Sequence, residues 1–287
     1  MLESARKYAS SFSLGLRGAL EYRANFLISL LGAVAPVIIQ TALWSRLYAP
    51  GSGSVGGTSS AGAQAGSGES LRLFGFSYAQ MLGYVVVANI VSRLVRTGFE
   101  YDLNDDIRSG GLDRFLVKPI DYFGFRMFQF AGSKSAESLF MGAALAAALA
   151  VLSALTGFSA DLAAVLGFLA ALFLAFVLNF LIFWCVGLAG FWLTEIGFFF
   201  EAARIVIITA SGGIFPLSVF GPGPEALLRA LPFRFTIQFP VEVLCGRVAG
   251  AELLSGLALA VGWAAALFVL CRALWAAGVR RFVAVGS

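Results

Sequence analysis

The 287-residue chain contains no histidine. That absence removes Ser-His-Asp and Cys-His nucleophilic catalysis, the HExxH zinc site and histidine proton relays. Its three cysteines, Cys185, Cys245 and Cys271, have no metal-ligand spacing. Two of them lie inside apolar runs, where a small hydrophobe is the expected role. Charge is scarce as well, at 13% of residues. No GxxxxGK[ST] phosphate loop occurs, and the string GSKS at 132–135 has the wrong spacing for one. The opening residues carry Arg6, Lys7, Arg17, Glu21 and Arg23, without the apolar core and small-residue cleavage site of a secretory leader.

What the chain has in excess is apolar surface. It is 59% hydrophobic with a mean hydropathy of +0.87, more than a soluble domain of this length can hide. A membrane-crossing helix needs about 20 predominantly apolar residues. On that scale the chain reads as an all-α integral membrane protein with six spans, at residues 25–48, 73–95, 138–158, 162–192, 196–214 and 253–277. Residues 1–24 place Tyr8, Phe12, Leu16 and Leu20 on one helical face among basic residues, the pattern of an amphipathic helix lying in the membrane interface. Pro36 is expected to kink the first span. Residues 49–72 form a Gly/Ser-rich loop whose composition supports no core. The fourth run, 31 residues interrupted only by Asn179, exceeds the ~30 Å hydrocarbon core and must tilt, kink or project. Residues 215–250 hold five of the eight prolines, so they read as a broken or re-entrant element rather than one straight helix.

The net charge of +4 and pI near 9.1 do not mark a nucleic-acid surface, because the basic residues are scattered over loops. With six spans, fourteen of the twenty Lys and Arg fall on the side of the N-terminus, the 96–137 loop and the 278–287 tail, against five opposite. The positive-inside rule then places both termini and that loop in the cytoplasm.

The 96–137 loop contains EYDLNDDIRSGGLDRFLVKPID, with nine charged residues in twenty-two. Asp102, Asp105 and Asp106 alternate with Leu103 and Ile107, an i, i+4 apolar pair. Gly110-Gly111 supplies a helix stop, and Lys118-Pro119 ends a second short turn that carries Leu112, Phe115 and Leu116. The strip reads as two short helices displaying apolar knobs and charges at the cytoplasmic surface. The residues alone leave a solvated connector and a docking element equally open.

The string DIRSGGLDRFLVKPID after the second span resembles permease subunits of bacterial type 2 ABC exporters, the six-span branch of uncharacterised ABC transport permeases. Three further stretches carry the same likeness in the same order. They are RGALEYRANFLISLLG, the proline-rich SGGIFPLSVFGP through LRALPFRFTIQFPVEVLCGR, and the closing GVRRFVAVGS. The Gly/Ser-rich loop at 50–70 departs from the family pattern. The resemblance implies a permease that pairs with a second copy of itself or a related permease and sits in membrane lipid of the bacterial inner membrane. It implies two cytoplasmic ABC ATPase subunits that hold ATP and Mg, so this chain is not an enzyme, binds no cofactor of its own and needs no nucleic acid. It makes the strip the coupling helix, with Asp105, Asp106, Ile107, Arg108, Gly110, Leu112, Phe115, Lys118 and Pro119 as ATPase-docking candidates. It makes residues 1–24 the elbow helix, and the proline-rich segment with Phe215 and Pro216 an outer cap on the pathway.

Other pathway or gate candidates come from polar groups near the spans: Asn89, Asn179, Glu201, Arg204 and Thr209. Glu201 and Arg204 are spaced to pair along one helix or to snorkel to the interface. The amides and the hydroxyl suit helix–helix hydrogen bonds as well as a pathway lining. A stand-alone secondary transporter would need a mid-membrane acid or an inverted repeat, and neither is evident. A membrane scaffold without transport is the other alternative. Nothing in the composition selects a drug, lipid, peptide or polysaccharide cargo.

Overall fold

A computed structural model describes residues 2–21, 23–49, 63–64, 72–116, 121–156, 161–193 and 196–281. Lys118, Pro119 and most of the Gly/Ser-rich loop lie outside the described residues. Apart from a two-residue antiparallel ladder, Ala63–Gln64 with Arg72–Leu73, the regular elements among the described residues are helical. They are α1 (Leu2–Glu21), α2 (Arg23–Leu47), α3 (Tyr78–Val95), α4 (Phe99–Arg108), α5 (Asp113–Leu116) and α6 (Tyr122–Thr156), then α7 (Leu162–Leu188), α8 (Gly197–Ala210), α9 (Pro222–Ala230), α10 (Gln238–Leu244) and α11 (Gly250–Val279).

Four stretches, Tyr78–Arg108, Tyr122–Val151, Leu162–Phe191 and Gly250–Val279, are long and apolar enough to cross a membrane. The other two expected spans look different from each other. The helix α2 has 25 residues, with Pro36 inside it. By contrast α8 has 14 residues, a rise of about 21 Å at ~1.5 Å per residue, short of the ~30 Å core. Its end is a Schellman turn: Gly212 takes φ +77°, Gly213 N–H bonds Ile208 C=O at 2.9 Å and Gly212 N–H bonds Thr209 C=O at 3.2 Å.

The third expected span, 138–158, is the distal part of a longer helix. The 35 residues of α6 start at Tyr122, inside what hydropathy assigned to a loop. The reason is that its charged first half is covered on two sides. On one side α1 lies against it so closely that a Cβ on Gly15 would overlap the Gln129 carbonyl, and one on Gly132 the Phe12 carbonyl. Small residues permit such backbone approach. Tyr8 of α1 stacks on Phe128 with centroids 5.0 Å apart. On the other side, Tyr122, Phe123 and Arg126 turn toward α4 and α7. The amphipathic face foreseen for the first helix is therefore partly spent on α6, while Leu14 remains exposed.

At the centre stands α7, in contact with α3, α4, α10 and α11. Near its start a Cβ on Gly167 would meet Val243 Cγ1 of α10 at 3.1 Å, and near its end one on Gly187 would meet Leu103 Cδ2 of α4 at 2.8 Å. Twenty residues of helix separate these glycines, about 30 Å, which is the thickness of a hydrocarbon core. The strip (α4 and α5) and the cap (residues 211–248) thus lie one membrane thickness apart. Two apolar clusters follow the same division: one around Trp44, Tyr84, Phe168, Phe235 and Phe239 at the cap end. The other joins Phe99, Leu103, Ile107, Leu112, Tyr122, Phe180 and Trp184 at the strip end.

Candidate functional site

The strip is two short helices, as its glycines and charges suggest, but its apolar side chains face the other way. Leu103 and Leu112 are fully buried, Ile107 is 6% exposed, and half-buried Phe115 packs on Tyr122 and Phe125. Displayed apolar knobs were expected here, and the structure corrects that. The knobs fasten the strip to α6 and α7, because their area is worth more against Phe180 and Trp184 than in water. Gly110 takes φ +73° at the helix end, and Leu112 N–H reaches back across it to Asp106 C=O at 3.0 Å. The solvent side of α4 is instead polar: Asp102, Asp105, Arg108 and Ser109 are exposed.

The acids of the strip divide accordingly. Asp106 turns inward and accepts from Arg126 Nη2 at 2.5 Å and from Tyr122 Oη at 2.5 Å. The same guanidinium reaches Asp102 at 3.2 Å and, through Nε, Tyr122 Oη at 2.9 Å. Asp106 is therefore a brace within the chain rather than a free docking group. Arg126 was not singled out by the sequence reading, although an arginine among Tyr122, Phe125 and Phe130 was a visible anomaly.

A second brace was missed altogether. Glu100, fully buried, accepts from Arg204 Nη2 of α8 at 2.5 Å, and Arg204 Nη1 also donates to Thr97 C=O at 3.4 Å. Glu201, the partner expected for Arg204, is 4.0 Å from its Nε and instead accepts from Tyr101 Oη. An i, i+3 neighbour lost to a residue one hundred positions away because only the distant carboxylate shares the arginine's buried environment. Two ties thus couple α4 to α8, and Arg126 couples α4 to α6.

Between strip and cap lies a half-open groove of about 390 Å³. It is bounded by Pro36 and Gln40 of α2, Asn89 to Thr97 along and beyond α3, Asn179 and Phe183 of α7, Arg204 to Ile208 of α8, and Ser211, Ile214, Thr236 and Ile237 of the cap. Of the pathway candidates, Asn89, Asn179 and Arg204 line it. Both amides also join helices: Asn89 Nδ2 donates to Gln40 Oε1 at 3.0 Å, and Asn179 Nδ2 to Val95 C=O. Glu201, Thr209, Phe215 and Pro216 do not line it. Thr209 Oγ1 donates to its own helix at Ile205 C=O, 2.7 Å away, and Phe215 and Pro216 build the turn of the cap beside Trp44.

The cap closes the far end with a polar network whose two central members, Gln238 and Glu242, escaped the sequence reading. Gln238 Oε1 accepts from Leu217 N–H at 2.9 Å, and its Nε2 donates to Glu242 Oε1 at 2.7 Å. Glu242, 3% exposed, also accepts from Arg234 at 2.7 Å, with Arg229 3.7 Å away. Tyr84 Oη donates to Gly212 C=O at 2.6 Å, and Thr236 Oγ1 to Ser211 Oγ at 2.9 Å, so both legs of the cap are stitched to α3 and α8. Burial pushes the nearby Cys245 thiol up to about 12, so it offers no nucleophile at neutral pH. The Cys185 and Cys271 thiols touch across α7 and α11 at 3.2 Å. Among the described residues, no group of His, Cys, Asp and Glu is arranged to hold a metal ion.

Apolar helices around a mast of membrane thickness, a polar strip at one end and a stitched cap at the other define a multi-pass membrane protein. The sequence model of the ABC-2 family transporter proteins matches residues 69–286. The chain belongs to this family and is an ABC-2 type permease. No curated protein and no solved structure matches it.

Proposed function

We propose that the chain is the membrane subunit of an ATP-binding cassette exporter in a bacterial inner membrane. Two copies, or this chain and a relative, pair in the bilayer and dock onto two ABC ATPase subunits that hold the ATP and Mg. The strip faces the cytoplasm with both termini, and the cap faces outward. Family membership supports the permease role. The observation that carries the coupling role is the double tie of α4 to α8, Glu100 with Arg204 and Tyr101 with Glu201. A push on the strip moves a wall of the groove through those ties, which is how a rigid element passes a conformational change to a bistable pair of subunits.

The burial of Ile107, Leu112 and Phe115 shifts the docking surface to the exposed Asp105, Arg108 and Ser109. Charges at such a rim set partner choice and register. Lys118 and Pro119 remain docking candidates on the family pattern. Co-purification tests the reading: a tagged copy expressed with its neighbouring genes brings down an ABC ATPase. A tagged copy that brings down none contradicts the exporter role. Cysteines introduced at Ser109 and at the exposed Gly223, in a chain whose three native cysteines are replaced by alanine, test the topology. In intact cells an impermeant thiol reagent labels only the second on this account, and labelling of the first reverses it.

A further inference from the structure

We infer that Cys185 and Cys271 are a redox-reversible dithiol, closed to a disulfide by a lipophilic hydroperoxide of the kind an oxidised membrane lipid carries.

The two sulfurs lie 3.2 Å apart, one on α7 and one on α11. A disulfide sets them at about 2.05 Å, so closure asks for about 1.2 Å, a small side-chain rotation on each side. The backbones need not move, because the two helices are held in register above and below the pair. Nearer the cap a Cβ on Gly167 would meet Leu253 Cδ2 at 2.8 Å, and nearer the strip one on Gly278 would overlap the Phe191 ring. Both contacts repeat the 86-residue offset of the cysteines to within one position. The helices α7 and α11 therefore run parallel and close together through the membrane.

Both cysteines lie inside membrane-crossing stretches, Cys185 six residues before Phe191 and Cys271 eight before Val279. At ~1.5 Å per residue they sit roughly 9–12 Å inside the strip-side edge, so an oxidant meets them from lipid rather than from water. Cys185 is half-buried and Cys271 fully buried, which orders the steps. The Cys185 sulfur attacks the terminal peroxide oxygen. The O–O bond breaks, an S–O bond forms, and the alcohol leaves with the thiol proton. The Cys271 sulfur then attacks the sulfenic sulfur. The S–S bond forms, the S–O bond breaks, and the hydroxyl leaves as water with the second thiol proton. The two thiols lose two electrons and the peroxide takes them.

The bridge would close residues 186–270 into one covalent loop that contains α8, the cap and most of α11. Closing so long a loop takes freedom from the unfolded chain. Oxidation thus staples the groove wall and the cap to the central helix. Cys245, packed in the apolar cluster at the cap end, is the internal comparison.

The test uses the purified full chain in nanodiscs, reduced, freed of reductant and treated with cumene hydroperoxide. Of the three thiols, those of Cys185 and Cys271 should be lost to one cross-linked peptide pair at monomer mobility, with Cys245 still free. Dithiothreitol should restore them. In Cys271→Ala, Cys185 should stop at the sulfenic acid and be captured by a 1,3-dione probe. In Cys185→Ala, Cys271 should stay a thiol. The bridged chain should melt at least about 5 °C above the reduced one, and neither single variant should shift on oxidation. Three thiols that survive the oxidant overturn the inference, as does a link through Cys245 or between two copies. So does a loss that dithiothreitol leaves in place, dione capture at Cys271 in Cys185→Ala, or a bridged chain that melts with the reduced one.

Discussion

The two ends of the molecule solve one problem in opposite ways. Each holds a short irregular segment against the membrane helices with arginine–carboxylate contacts, some of them buried. At the cap these contacts are local: Arg229 with Glu225 and Arg234 with Glu242, whose carboxylate also accepts from the Gln238 amide. At the strip they join separate helices, Glu100 to Arg204 and Asp102 and Asp106 to Arg126. A segment tied to itself moves as a unit. A segment tied to two other helices moves them, which is why we propose the strip as the coupling joint and the cap as a plug, held to α3 at Tyr84.

The comparison breaks first at Arg204. Its replacement by Met leaves Glu100 buried without a partner, and loss of one member of a buried pair costs about 3–5 kcal/mol. Thermal unfolding in nanodiscs should register it, and Glu100→Leu with Arg204→Met should regain most of the loss. Equal loss in the single and double variants would show that packing, not the ion pair, holds the strip. Next comes Glu242→Leu, expected to cost about 1.5–3 kcal/mol, the range for hydrogen bonds to charged groups. Hydrogen exchange should quicken in residues 211–248 and stay unchanged in α4. Quickened exchange in α4 would mean that the cap is no self-contained plug. Smaller still is Gly132→Ala, which forces α1 from α6 at an overpacking cost of about 1–3 kcal/mol. It should loosen α1 while leaving the Glu100–Arg204 tie intact.

Much of this fold was legible in the chain. Long apolar runs marked α7 and α11, the prolines marked the cap as broken, and Gly110 marked the end of α4. What stayed hidden depended on partners distant in sequence. Hydropathy ended the loop at 137 because Arg126, Lys134 and Glu137 look like solvent residues until α1 and α4 cover them. Periodicity put Leu103 and Ile107 on a common face but did not say on which side of the strip the protein lies. The pairing of Arg204 with Glu100, across one hundred residues, leaves no local pattern at all. At the site, Asn89, Asn179 and Arg204 were found as polar residues in apolar surroundings. Gln238 and Glu242 were missed because the proline-rich segment reads as a broken or re-entrant element, with no periodicity to show which side chains it buries.

The account turns on which face of the strip meets the ATPase. Asp105→Arg with Arg108→Glu reverses two exposed charges and touches no buried contact, so stability should not change. The direct measurement is the ATPase activity of the reconstituted complex with this double variant, alongside its co-purification. The account predicts loss of both at an unchanged melting temperature. Wild-type coupling in that variant would contradict it.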